Sequence, residues 1–376
     1  MSDHDPFQRA MALVDLGALE RNCATLRSQL GEETQLCAVV KANGYGHGMA
    51  ECAEAALRAG ATHLAVAAAT EAFELRARFP DVPILVMGAL TGAELDVALQ
   101  AGAELSVWRT GFLACLADRA GQLGVRPRVH VKYDTGMGRL GDRDAAAIDD
   151  LIDRCAADER VELAALWTHF ATADEEDDSF LREQLRRFRE LADPARERHP
   201  SLMLHAANSA ATLRGSEYHL DMVRCGLALH GMDPSGGDPA RHGLEPTLSL
   251  HSYVADVKAA AVGESVGYGR SWTAERETMI GVIPIGYGDG VRRGLSNRCE
   301  VLVEGSRAPV VGMISMDNLM VDLGPASAVE PGAPVVLIGA HDEEAIRAEE
   351  WARSLETINY EVTCGISARV PRAYKR

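Results

Sequence analysis

At 376 residues the chain is long for one domain and comfortable for two. Its 47% hydrophobic and 25% charged residues are the composition of an ordinary globular protein, and a formal charge of −17 argues against nucleic acid or an anionic membrane as partner. No apolar run approaches the length of a membrane span, and the polar, acidic opening Met1-Ser2-Asp3-His4-Asp5-Pro6 does not read as a secretory signal. Eight scattered cysteines without metal-ligand spacing fit a reduced, cytoplasmic protein with buried thiols.

In chain order, Met1–Arg9 is expected to be mobile or tied to the second domain, and residues 10–15 form a short apolar segment. Residues 18–29 carry Leu19, Cys23 and Leu26 at helical spacing. From Leu36 an alternation begins. Short apolar strands are predicted at 38–40, 63–67, 83–86, 104–107, 128–133, 162–167, 202–205 and 221–224. Helical stretches at 49–59, 70–79, 93–101, 111–120, 143–157 and 180–192 separate them, with a much shorter connection at 209–214. Eight strands alternating with helices point to an α/β (β/α)8 barrel over residues 10–243. Beyond Gly243 the pattern changes to strands at 248–258, 279–284, 300–303, 308–314, 319–322 and 335–338, with dense Gly and Pro punctuation and one helix near 343–353. Residues 244–376 therefore read as a second, mostly β domain. The acidic run at 173–178 reads as a solvated loop.

Barrels of this kind carry their chemistry where strands end and βα loops begin. At those ends stand Lys41, Lys132 and Arg139, His169, Asn208-Ser209 and Arg224. Polar strand ends are common, but this set is too large for that alone. Lys41 closes an apolar strand and precedes three glycines within five residues, which allow a tight, open turn. A lysine so placed is either a solvated strand end or a desolvated nucleophile or Schiff-base former. Residues 136–141 contain a literal G-x-G-x-x-G after a strand, with Glu162 about twenty residues on, a formal but weak dinucleotide signal.

The string Lys41-Ala42-Asn43-Gly44-Tyr45-Gly46-His47-Gly48 resembles the pyridoxal-phosphate (PLP) lysine motif of the alanine racemases. Asp134-Thr135-Gly136-Met137-Gly138-Arg139-Leu140-Gly141, Asp221-Met222-Val223-Arg224-Cys225-Gly226 and Gly267-Tyr268-Gly269-Arg270-Ser271-Trp272 continue the resemblance. So do residues 283–290, 315–317 and 358–361, giving a match from about Ala12 to Arg372. The resemblance implies that Lys41 holds PLP and serves as one proton-transfer base, with Tyr268 of the partner subunit as the other. It places Arg224 against the pyridine nitrogen, with His169 between Arg224 and the tyrosine. A fixed cation there keeps the nitrogen unprotonated and the ring a weaker electron sink, which suits racemisation. It further implies Tyr45, Asn208, Ser209, Gly226, Leu227 and Tyr360 around the cofactor and its phosphate. Arg139, the Met316 amide and Tyr287 fall on the substrate side, with Lys132 orienting Arg139, often as a carbamate. No metal is implied.

Departures from the family pattern are modest. The opening residues 9–15 lack the usual proline and tryptophan, His230 stands where a tyrosine is usual, and Gly288 replaces a common alanine. The expected function is a cytoplasmic, homodimeric PLP-dependent racemase of L- and D-alanine that supplies D-alanine for peptidoglycan. A serine or broad-specificity racemase and a non-catalytic PLP-binding protein are the alternatives; a decarboxylase of related fold is disfavoured by Arg224, where those enzymes carry an acid.

Overall fold

The computed structural model describes residues 8–376, so that most of the expectation for Met1–Arg9 lies outside the described residues. The chain forms two compact units. One spans Leu19–Tyr45 and Met49–Glu245; the other takes residues 8–18, Gly46–Gly48 and Pro246–Arg376.

The first unit is a closed, all-parallel barrel. Its strands are Gln35–Val39, His63–Val66, Ile84–Val86, Glu104–Val107, Arg128–Lys132, Glu162–Trp167, Met203–His205 and Met222–Cys225, and the last pairs with the first to close the ring. Strands covered on both faces need near-continuous apolar sequence, and Leu36, Leu64, Val86, Val107, Val131 and Leu166 are fully buried. Helices follow the strands as expected. Ser179–Arg198 runs past the predicted end at 192 and through Pro194, because Leu191, Ala192 and Ala195 keep one face of its last turns buried.

The barrel core departs from the usual layers of aliphatic side chains. Glu104, His130, Lys132, His205 and Arg224 are all buried within it. Buried thiols line the same unit. Burial pushes Cys23 and Cys155 up to about 12, so these two are inert at neutral pH. The expectation of buried thiols does not extend to Cys115 and Cys364, which are exposed.

The second unit is mostly β. Its seven-stranded sheet runs Ser306–Pro309, Glu300–Val303, Pro334–His341, Leu248–Tyr253, Met11–Asp15, Arg372–Lys375, with Glu344–Ile346 pairing antiparallel with the C-terminal end of Pro334–His341. A three-stranded sheet (Asp256–Ala260, Thr278–Ile283, Leu319–Gly324) and a two-stranded ribbon (Ser265–Val266, Trp272–Thr273) complete it.

Several expectations change here. Residues 11–15 form a strand that pairs antiparallel with Leu248–Tyr253 and parallel with Arg372–Lys375, so this segment joins the β unit and not the barrel. The single strand expected at 248–258 is two strands in different sheets, a switch that unbroken β-forming sequence conceals. The strand expected at 308–314 is Ser306–Pro309, followed by an isolated bridge from Val310 to Val321. The helix expected at 343–353 begins only at Ala348, where the Glu350 carboxylate accepts from the Arg347 N–H at 2.9 Å. The helix Asn359–Cys364 was not expected at all. Arg9 belongs to this unit and is tied down: it pairs with Asp289 at 2.5 Å.

Candidate active site

The site grows from the chain turn after the first barrel strand. Ala42, Asn43, Gly44 and Tyr45 all adopt left-handed backbone, with φ of 53°, 54°, 61° and 54°. For residues with a Cβ this costs about 1–2 kcal/mol each. Local hydrogen bonds offset it: the Gly44 N–H donates to the Val40 carbonyl at 2.8 Å, and the Met49 N–H to Asn43 Oδ1 at 3.0 Å. Glu71 adds a clamp. Its carboxylate accepts from the Ala42 N–H at 2.7 Å and from Ala67 and Ala68 N–H at 2.9 and 3.1 Å. The turn that presents Lys41 is thus pinned to the end of the next strand. Nothing in the sequence marked Glu71, which reads as an ordinary helix residue.

Tyr45 leaves this turn buried and directed at Gly226. A Cβ at 226 would overlap the Tyr45 hydroxyl and ring, so only glycine admits the tyrosine there. Ser209 Oγ accepts from the Gly226 and Ala228 N–H groups at 3.1 and 3.2 Å. Tyr45, Ser209 and Gly226 therefore meet at the strand ends, with Leu227 next in the chain. Asn208 caps the helix Ser209–Arg214, its Oδ1 accepting from the Ala211 N–H at 3.0 Å, and so sets the position of Ser209. His230, the departure noted in the sequence, is buried with its ring 5.4 Å from that of Tyr45, tilted by 47°.

Arg224 is buried at the same rim. Its Nη1 donates to His205 Nδ1 at 2.8 Å; its Nη2 donates to the Ala206 and Thr168 carbonyls at 2.9 and 3.0 Å and to His169 Nδ1 at 3.3 Å. Every one of these acceptors is neutral. Burial lowers Arg224 only to about 10, so it stays charged at neutral pH. Burial, with the nearby Arg224 guanidinium, holds His169 well below the ordinary imidazole range. His169 is therefore neutral. Because Arg224 only donates, His169 Nδ1 is the acceptor and its proton sits on Nε2.

Lys132 ends the Arg128–Lys132 strand with its Nζ 3.2 Å from the centroid of the Trp167 ring, and the Arg224 guanidinium carbon lies 4.8 Å from the same ring. Among the described residues the Lys132 amine has no hydrogen-bond partner. Burial, then Arg224 and Arg139, lowers it far below the ordinary lysine value, which favours the neutral amine. Arg139 itself is exposed on the loop after this strand. Asp134 organises that loop by accepting from the Gly136 and Gly138 N–H groups at 3.1 and 3.0 Å and pairing with Arg143 at 3.1 Å. The loop amides that a dinucleotide phosphate needs are already taken, and the following helix is capped separately by Asp144, so the G-x-G-x-x-G match is not a dinucleotide fold.

The remaining expected residues lie in the β unit. Tyr268 sits on a single helical turn between Gly267 and Gly269, at φ of 74° and 71°, and is 73% exposed beside an open groove of about 1040 Å³. The Tyr287 N–H donates to the Ser315 carbonyl at 3.0 Å and the Gly288 N–H to Met316 at 2.9 Å, so Tyr287 and Met316 are neighbours, both partly exposed. Tyr360 lies in the unexpected helix Asn359–Cys364.

Comparison with known proteins gives one answer. The family profile "Alanine racemase, N-terminal domain" matches residues 14–234 and "Alanine racemase, C-terminal domain" matches residues 247–374. The chain is 41% identical to alanine racemase 1 of Bacillus subtilis (98% of this chain, 94% of that one) and 43% identical to the alanine racemase of Geobacillus stearothermophilus (99% and 95%). It superimposes on the alanine racemase of Streptomyces coelicolor with a TM-score of 0.92 at 40% identity, covering 97% and 98% of the two chains. Among the described residues no helix is long and apolar enough to cross a membrane. With its closed parallel barrel, its mostly β second unit and this agreement along its whole length, the chain belongs to the alanine racemase family of amino-acid racemases, which are isomerases.

Proposed function

We propose that the protein interconverts L-alanine and D-alanine with PLP, as a homodimer whose sites are shared between subunits, and that its D-alanine feeds peptidoglycan synthesis in the cytoplasm. The observation that carries this reading is Arg224, a buried guanidinium bonded only to neutral acceptors, His169 Nδ1 among them. A cation held in this way offers a neutral pyridine nitrogen a donor without transferring a proton to it.

The other residues fit the same group. Gly226 has no room for a Cβ beside Tyr45, and the Ser209 and Tyr45 hydroxyls beside it, with the Leu227 amide, are the donors that would cradle a small anion at the barrel rim. Asn208 sets the position of Ser209 in that cradle; the family resemblance assigns Tyr360 to the same phosphate. Bound there, PLP supplies delocalisation of the negative charge left when the substrate loses its Cα proton.

The protein's own groups do the proton work. Lys41 takes or returns the Cα proton on one face, and Tyr268 of the partner subunit does so on the other. His169 keeps its proton on Nε2 and offers it as a hydrogen bond to that tyrosine oxygen. Arg139 and the Met316 amide hold the substrate carboxylate, and Tyr287 narrows the approach. Lys132, as a neutral amine, adds carbon dioxide: a new N–C bond forms, a proton is released, and the carbamate oxygens accept from Arg139. The close tyrosines Tyr268 and Tyr360 favour a small substrate side chain.

Two variants test the roles. Lys41→Ala is expected to lose the visible absorbance of bound PLP, whereas Tyr268→Phe keeps the absorbance and loses most racemisation. Normal activity in Tyr268→Phe removes that residue from the mechanism.

A further inference from the structure

The barrel interior carries a line of polar side chains that the proton transfers do not use. His205 Nε2 lies 3.0 Å from His130 Nδ1, and His130 Nε2 lies 2.8 Å from Glu104 Oε2. The line runs from Arg224, at the rim where the strands end, to Glu104, the first residue of its strand. All of its members are buried.

The hydrogen positions follow from its ends. Arg224 can only donate, so His205 Nδ1 must accept from it. His205 then carries its proton on Nε2 and donates to His130 Nδ1. His130 in turn carries its proton on Nε2 and donates to the Glu104 carboxylate. Each bond points the same way and ends on the Glu104 carboxyl group, whose other oxygen is paired with Arg128, as an ionised Glu104 requires. Burial alone raises the Glu104 pKa, but the His130 hydrogen bond and the Arg128 guanidinium, paired directly with Glu104, bring it down to about 2.

We propose that Glu104 is the counter-charge of Arg224 and acts through His130 and His205 as a positioning residue for the racemase site. A buried guanidinium bonded only to neutral acceptors is costly unless negative charge reaches it. Glu104 supplies that charge through two polarised imidazoles and makes His205 Nδ1 a stronger acceptor. The result is a guanidinium fixed in direction, with part of its charge drawn away from the face turned to the cofactor. The groups facing Glu104 are His63, Arg128 and His130; those facing Arg224 are His169, His205, Lys132, Arg139 and the thiols Cys37 and Cys225. No second carboxylate stands among them. The consequence for the cofactor rests on the reading of Arg224 given above; the line of hydrogen bonds does not.

Glu104→Gln keeps the shape and an oxygen for His130 but removes the charge. In the PLP-loaded protein the expected result is a cofactor absorbance titration moved to lower pH by about half a unit or more, because uncompensated positive charge disfavours protonation nearby. The kcat is expected to fall about 10-fold to 100-fold with little change in KM. A variant that melts earlier yet titrates and turns over like the parent would overturn the proposal, since Glu104 would then only hold the barrel together. Nitrogen NMR of the histidine-labelled parent needs no variant. Protons on Nε2 of both His130 and His205, with bare Nδ1 atoms, are expected, and an Nδ1 proton on either overturns the line. Failure of the underlying reading shows separately, as a parent protein that takes up no PLP.

Discussion

The Lys132 amine stands 3.2 Å from the centroid of the Trp167 indole, with no hydrogen-bond partner among the described residues and two arginines, Arg224 and Arg139, acting on it. A protonated lysine in that company is strongly disfavoured, and a neutral one leaves a buried donor unsatisfied. The carbamate proposed above would resolve both problems by placing negative charge near these guanidinium groups.

Lys132→Ala is accordingly expected to retain PLP and its absorbance, and to lose about 10-fold to 100-fold in kcat/KM through a disordered Arg139. A small carboxylate such as acetate, added to the assay, should restore part of the loss. Full activity in the variant, or no response to any small anion, would argue that no charge is needed at this point.

Gly226 and Tyr45 make a second test. Gly226→Ala forces the Tyr45 ring out of its place, so PLP affinity should drop tenfold or more in a fluorescence titration. Tyr45→Ala removes the ring that the new methyl would strike. The double variant should therefore bind PLP more tightly than the sum of the two single losses allows. Strict additivity would mean that the two residues do not share the cradle.

Stability should fall on the acid side. Burial lowers His63 to about 4, against the opposing charge of Glu104, and holds His205 and His169 well below the ordinary value. Their unfolded forms bind protons near pH 6.5 while the folded forms do not. The stabilisation is thus complete above about pH 6.5 and is lost as pH falls toward the folded values; for His63 alone that is about 2 kcal/mol by pH 5. Glu104, depressed to about 2, adds a loss only below about pH 4.5. Urea unfolding at pH 7 and pH 5 checks this, and His63→Gln should flatten the difference; an unchanged slope would mean that His63 is not held neutral.

Much of this was legible in the sequence, for identifiable reasons. The barrel strands at Glu104–Val107 and Glu162–Trp167 have the bounds their apolar runs predicted, because strands buried on both faces leave an uninterrupted signal. The rim residues followed from the strand ends. What the sequence concealed was long-range: that residues 11–15 pair with Leu248–Tyr253 and Arg372–Lys375, or that Glu344–Ile346 is a strand inside a helical pattern. His130, His205 and Glu104 gave no signal of their own. Each looks like a chance polar residue in its strand until the barrel closes and stacks them into one line.

The proposed function requires proton removal and return on opposite faces of one bound substrate. The direct measurement is incubation of the PLP-loaded protein with L-alanine in D2O, following deuterium at Cα and D-alanine formation together, with L-serine run in parallel. D-alanine carrying deuterium at Cα, formed faster than D-serine, is expected. Deuterium exchange without D-alanine, or neither product from a protein that holds PLP, would contradict it.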